Sequence, residues 1–224
     1  MTYAPPNRPF YDADSHIMEL PDFLRDYADA GIRDQIPPVS YAASLVTDEE
    51  VDVIVANGKR HTAEHVEAQV ALGDELIARS KEIQALGAFD RDDRSVALDM
   101  LGFRKQLVFA THGVATPFSP SRSLSHEVRY GATRAHNRAM SEFCAVDDRL
   151  MGVGIVPLED PDLALLELEF ALTCGLEAIW VPHHPAGERS PGHVDLAPFW
   201  ARLAESNTPF VLHLGESPLQ LDPR

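Results

Sequence analysis

Side chains able to bind a metal recur at every second position near the start of the chain, in Tyr11-Asp12-Ala13-Asp14-Ser15-His16-Ile17-Met18-Glu19. In an extended backbone Asp12, Asp14 and His16 project from one face, because strand side chains have period two. Carboxylate oxygens and an imidazole nitrogen on one face suit a divalent metal. The plainer alternative is an Asx-rich loop before a helix cap at Ser15 or Asp22. A second histidine weighs against it. In Pro209-Phe210-Val211-Leu212-His213-Leu214-Gly215 an apolar run after a proline ends in His-x-Gly, the pattern of a buried strand with His213 at its C-terminal tip. Catalytic groups of a (β/α) barrel sit at that end of the strands. Asp14, His16 and His213 are therefore the candidate metal ligands, and Asp12 is a supporting or structural carboxylate.

This combination resembles the metal site of the amidohydrolase superfamily, in the amidohydrolase-related branch that includes the aminocarboxymuconate-semialdehyde and resorcylate decarboxylases. That branch opens with Asp-x-His-x-His or a version with an acidic first ligand. Asp12-Ala13-Asp14-Ser15-His16 matches, with Asp14 in place of the first histidine. Val211-Leu212-His213 and the strand from Arg149 to Pro157 extend the resemblance over most of the chain. It implies a metal-dependent hydrolase or non-oxidative decarboxylase acting on a small carbonyl or carboxylate compound, aromatic acids included. It also implies a sixth-strand His and an eighth-strand Asp, the Asp serving as ligand and proton acceptor. No positions for them exist in these 224 residues. The expected base would lie beyond Arg224, and the chain reads as the N-terminal part of a longer product. Zinc fits the donors best; the hard Asp14 oxygen keeps Mn and Mg compatible. The competing reading is a non-catalytic barrel fragment or binding module.

The remaining candidates are weaker one by one. His112, His183 and His184 fall at expected strand ends, where a barrel builds its substrate pocket, and at least one is expected to line it. Glu19 lies on the segment leaving the first strand, where it reaches substrate or is a solvated acid. Arg104 and Arg189 could hold a substrate carboxylate bidentately, although surface ion pairing is the simpler role for both.

The elements that must position these groups alternate. Strands are expected at Phe10–Asp14, Arg104–Ala110, Leu150–Val156, Ala178–Pro182 and Phe210–Leu214. Helices are expected at Pro21–Ala28, Thr62–Arg79, Asp92–Leu101, Ser123–Ala145, Pro161–Thr173 and Leu196–Glu205. His126 and His136, on the helical pattern over Ser123–Ala145, are read as exposed or packing residues. Apolar strands alternating with helices mean a parallel sheet covered by helices. The expected fold is α/β, the N-terminal part of a (β/α)8 barrel with about five βα units; an open five-stranded sheet is the alternative. Val51-Asp52-Val53-Ile54-Val55-Ala56 is β-rich and runs into Asn57-Gly58, a strong hairpin signal. A small inserted β-hairpin is expected there. Residues 1–9, with three prolines, read as an extended arm on one domain spanning 1–224.

Composition bounds the rest. With 35 acidic against 19 basic residues and a formal charge of −16, nucleic acid and anionic membrane are poor partners, and a small-molecule substrate is expected. Cys144 and Cys174 lack C-x-x-C spacing and read as reduced thiols. No apolar run approaches the roughly 18 residues of a membrane span, and the N-terminus lacks a signal-peptide core. Cytoplasm follows by default, with self-association left open.

Overall fold

In a computed structural model of the chain, the described residues are 2–42, 44–119, 121, 123–185 and 189–213. The elements run β1 (Tyr11–His16), α1 (Phe23–Tyr27), α2 (Asp48–Ala56), α3 (Ala63–Val70), α4 (Leu76–Arg79), α5 (Arg91–Leu101), β2 (Lys105–Phe109), α6 (His126–Cys144), β3 (Leu150–Ile155), α7 (Pro161–Thr173), β4 (Ala178–Trp180), α8 (Ala197–Glu205) and β5 (Phe210–Val211). All strand pairings are parallel, in the order β1-β2-β3-β4-β5. Leu214, which ends the expected fifth strand, and Gly215 lie outside the described residues. No described helix is long and apolar enough to cross a membrane.

The chain divides into two compact units. The first comprises Met1–Phe23, Val39–His112 and Glu142–Gly152. It contains β1, β2 and the start of β3, where Gln106–Val108 pair with Leu150–Gly152. Helix α5 starts on an Asp90 cap, whose side chain accepts from Asp92 N, and stops at Gly102 in the left-handed conformation (φ 75°). This Gly stop was legible in the sequence. Leu98, on its inner face, is fully buried. The Pro-rich arm is tied down rather than free: Ala4 is buried and its N–H donates to Leu101 O at 2.7 Å.

Two expectations in this unit are corrected. Residues 51–56 form α2, not a hairpin strand. Thr47 and Glu50 make a capping box, each side chain accepting from the other's backbone N–H. This satisfies two otherwise unpaired donors at the helix start. Val51 and Ile54, three apart, are buried, while Val53 is 60% exposed, so the apolar residues obey the helical period rather than alternation. The single helix expected over Thr62–Arg79 is broken: α3 and α4 are separated by a 3-10 turn at Gly73–Glu75, and Gly73 has φ 57°.

The second unit comprises Leu24–Pro38, Gly113–Ser141 and Val153–Arg224. Val153–Ile155 pair with Ala178–Trp180, and Ile179 and Trp180 pair in turn with Phe210 and Val211. Asp160 caps α7 by accepting from Asp162 N and Leu163 N, with Pro161 in the first turn. Ala132, Ala135 and Ala139 are fully buried along α6, and His136 is buried with them as a packing residue. His126 is half exposed and pairs with Asp160 at 3.5 Å. Asn137 holds the end of β3, donating to Ile155 O and accepting from Ile155 N.

Candidate metal centre

β1 does not alternate as the sequence suggests. Asp12 pairs with Gln106 and Ser15 with Val108, so three steps along β1 match two along β2. The extra residue is a β-bulge, which bends the strand and re-aims the side chains beyond it. Asp12 is thereby separated in facing from His16. Its Oδ2 accepts from Gln106 Nε2 at 3.0 Å and its Oδ1 from Asp14 N at 3.1 Å. The structural role for Asp12 is what the geometry shows. The expectation that all three side chains share a face fails because period-two arithmetic assumes an uninterrupted strand.

Behind the bulge sits Arg94, buried on α5. It donates to Ser15 Oγ at 2.5 Å, to His16 O at 3.2 Å and to Gly87 O at 3.2 Å. Burial lowers its pKa to about 10, with Asp12 acting in the opposite direction. The guanidinium thus fixes the backbone on which the candidate ligands stand.

His16 is oriented by what its ring touches. Nδ1 lies 2.8 Å from Ala110 O and 3.2 Å from Thr111 Oγ1. A carbonyl only accepts, so Nδ1 donates to Ala110 O, and Nε2 is the ring nitrogen turned to the Asp14 carboxylate. Ring N–H to backbone carbonyl is the usual support of a metal-bound histidine. Nε2 lies 3.2 Å from Asp14 Oδ1. Two atoms bound to one tetrahedral ion at 2.0–2.2 Å are themselves about 3.3–3.5 Å apart. The pair therefore fits a shared divalent ion, with Asp14 exposed and His16 half-buried.

Glu19 is neither a surface acid nor open to solvent; it is 1% exposed. Its oxygens accept from Thr111 N at 3.0 Å and His112 N at 2.9 Å, and Tyr41 OH donates to its backbone carbonyl. It pins the turn after β2. That turn presents His112, whose ring packs edge-on against Tyr41 at 5.2 Å. His112 Nε2 is buried without a partner among the described residues. Burial, and then His16, push its pKa below the usual imidazole value. Thr111, Tyr41 and Arg94 escaped sequence reasoning, since no spacing marks a loop hydroxyl or a helix arginine as support for a distant strand.

In the second unit His213 packs edge-on against Trp180 at 5.0 Å, and Trp180 packs against Phe118 at 5.5 Å. His184 has Nδ1 3.0 Å from Pro185 O and Nε2 3.3 Å from Phe118 O, so it is held by backbone carbonyls. His183 lies beside it, with ring centroids 6.4 Å apart. Arg189 pairs with Asp195 at 3.1 Å, the simpler role considered for it. Arg104 lines a cavity of about 940 Å³ around the N-terminal arm, among the starts of the strands and away from Asp14 and His16. A groove of about 620 Å³ follows β1 and includes Asp14 and His16.

The parallel α/β fold carries an Asp-x-His pair on its first strand, with the histidine ring held by a backbone carbonyl. The sequence pattern of the amidohydrolase family matches residues 11–224, and the chain belongs to that family. It is 29% identical over 161 residues to the gamma-resorcylate decarboxylase of Rhodococcus jostii (strain RHA1), a match covering 67% of this chain and 45% of that enzyme. The crystal structure of amidohydrolase map2389c from Mycobacterium avium subsp. paratuberculosis K-10 superposes with a TM-score of 0.69 at 21% identity. That match covers 94% of this chain and 60% of the other, so the present chain spans about half the length of its relatives. The fold is the N-terminal part of a (β/α)8 barrel.

Proposed function

We propose that the protein acts as a metal-dependent carboxy-lyase, removing CO2 without oxidation from a small hydroxyaromatic acid. The observation that carries this is the Asp14–His16 pair, with His16 Nδ1 held on Ala110 O and Nε2 turned to Asp14 Oδ1 at 3.2 Å. The similarity to a decarboxylase selects the reaction from those of the family. Asp14, His16 and His213 hold one divalent ion, zinc being the best match to two nitrogen donors and one oxygen donor. When bound, the ion supplies Lewis-acid polarisation of a substrate oxygen. The chain's own residues bind and orient. His112 Nε2, buried without a partner among the described residues, accepts a hydrogen bond from a substrate hydroxyl. Glu19 acts through backbone N–H groups to hold His112 in place, as a positioning residue rather than a substrate contact. His183 and His184 line the substrate side of the second unit.

The test is CO2 release by the purified protein from gamma-resorcylate and related hydroxybenzoates, beside a panel of amides, esters and lactones. CO2 release lost in His16→Ala and His213→Ala, with the metal bound at that site lost too, supports the reading. Hydrolysis without CO2 release replaces it with a hydrolase; neither activity favours a binding module.

A further inference from the structure

Arg104 has neither of the roles considered for it. It lines the cavity at the strand starts, which Asp14 and His16 do not, and among the described residues no carboxylate pairs with it. Three strand starts gather further cations around it. Arg104 N donates to Phe10 O at 2.7 Å, Lys105 is level with Tyr11, and Gln106 N donates to Arg149 O at 2.8 Å. Arg8 stands two residues before Phe10, its guanidinium carbon 4.4 Å from the centre of that ring. Arg8, Arg104, Lys105 and Arg149 thus share one cavity of about 940 Å³, with Asp99 and Asp148 the acids on its lining. In a chain of 35 acids and 19 bases this reversal of sign is local.

Arg149 is already engaged. It donates to Asp147 from Nε at 2.9 Å and Nη2 at 2.6 Å, and to Asp99 from Nη1 at 2.8 Å. Arg149 and Asp99 therefore offset each other. Arg8, Arg104 and Lys105 are left with Asp148, and none of these three pairs with a carboxylate among the described residues. The arm that walls the cavity is fixed in place. Thr2 Oγ1 donates to Ala4 O at 2.7 Å, and Ala4 N to Leu101 O at 2.7 Å. Thr2 packs on Gly102 so closely that a Cβ added there would lie 2.8 Å from the Thr2 Cβ. Pro5, Pro6 and Pro9 restrict φ along the same arm.

We propose that this cavity binds a small phosphate-bearing anion through Arg8, Arg104 and Lys105. Like charges gathered without counter-ions repel one another, and an anion between them relieves that repulsion. A carboxylate offers two coplanar oxygens, which one guanidinium fork can fill. Three cations on separate backbone positions suit the tetrahedral oxygens and double charge of a phosphate better. The bound anion would tie the N-terminal arm to the starts of β1 and β2, and so stabilise the first unit.

The test is calorimetric titration of the protein with inorganic pyrophosphate at fixed ionic strength, with acetate as competitor. Saturable binding of one equivalent is expected, weakened at least about tenfold in Arg104→Gln/Lys105→Gln and in Arg8→Gln. These side chains are exposed or half-buried, so the variants spare the core. His16→Ala is expected to bind as the parent does, which separates this site from a metal at Asp14 and His16. Arg202→Gln, which removes an exposed charge from α8, should also leave binding unchanged. Absence of saturable binding overturns the site. So does binding that is lost in His16→Ala, undiminished in Arg104→Gln/Lys105→Gln, or weakened equally in Arg202→Gln. Displacement of pyrophosphate by an equal concentration of acetate overturns the preference for phosphate on which the proposal stands.

Discussion

His136 is neutral inside α6 because burial holds its pKa down to about 4, against 6.5 in the unfolded chain. The unfolded state therefore binds the proton first as pH falls. The stability that goes with the neutral ring is complete above about 6.5 and is lost progressively towards pH 4. Unfolding free energy is expected to drop by on the order of 3 kcal/mol across that window. His136→Gln should flatten the drop, as read from urea unfolding at several pH values. Arg94 carries a comparable weight. Arg94→Ala would leave Ser15, His16 O and Gly87 O without their donor and should cost about 3 kcal/mol or more. Asp14, His16 and His213 could be singled out from sequence because Asp-x-His and a strand-end histidine are local patterns. Arg94 and the backbone-holding role of Glu19 could not, because their meaning lies in partners 79 and 92 residues away, Ser15 and Thr111.

At the scale of elements, α2 shows how propensity can mislead. Val51, Val53 and Val55 with Asn57-Gly58 spell a hairpin, but Thr47-x-x-Glu50 was also in the sequence and marks a helix start. Once capped, the segment buries Val51 and Ile54 on one stripe. Thr47→Ala is expected to lower the unfolding free energy by about 1 kcal/mol. The helices and strands from Arg91 onward follow the sequence pattern to within a few residues, because Gly102, Pro161 and Gly175 punctuate them. Gly87 presents a different constraint. It has φ 73°, and an added Cβ would sit 2.4 Å from Arg94 Cα and 2.7 Å from Arg94 N. Backbone cannot move aside as a flexible side chain can. Gly87→Ala should cost roughly 2–4 kcal/mol, whereas Gly58→Ala, at φ 75° with open space around it, should cost only about 1–2 kcal/mol. Denaturant midpoints of the two variants give the comparison directly.

For the whole molecule the dominant electrostatic fact is the excess of acids, a formal charge of −16. Exposed pairs such as Arg79–Glu75 and Arg202–Glu169 contribute little individually. Self-repulsion among the surplus carboxylates outweighs them, and salt screens it. The melting temperature should rise by a few degrees between about 0.02 and 0.3 M NaCl; a fall would mean that the ion pairs dominate. The parallel α/β class was readable at this scale from strand–helix alternation. The division into two units was not, because it cuts through β3, where the sequence shows one unbroken apolar run. That cut makes β3 a reporter strand. Residues 150–152 pair with β2, and residues 153–155 with β4. Amide hydrogen exchange along this single strand therefore samples the opening free energies of two neighbourhoods within six residues. When Gly87→Ala loosens the first unit, exchange at 150–152 should accelerate more than at 153–155. Equal acceleration along the strand would mean that both ends open in one cooperative event.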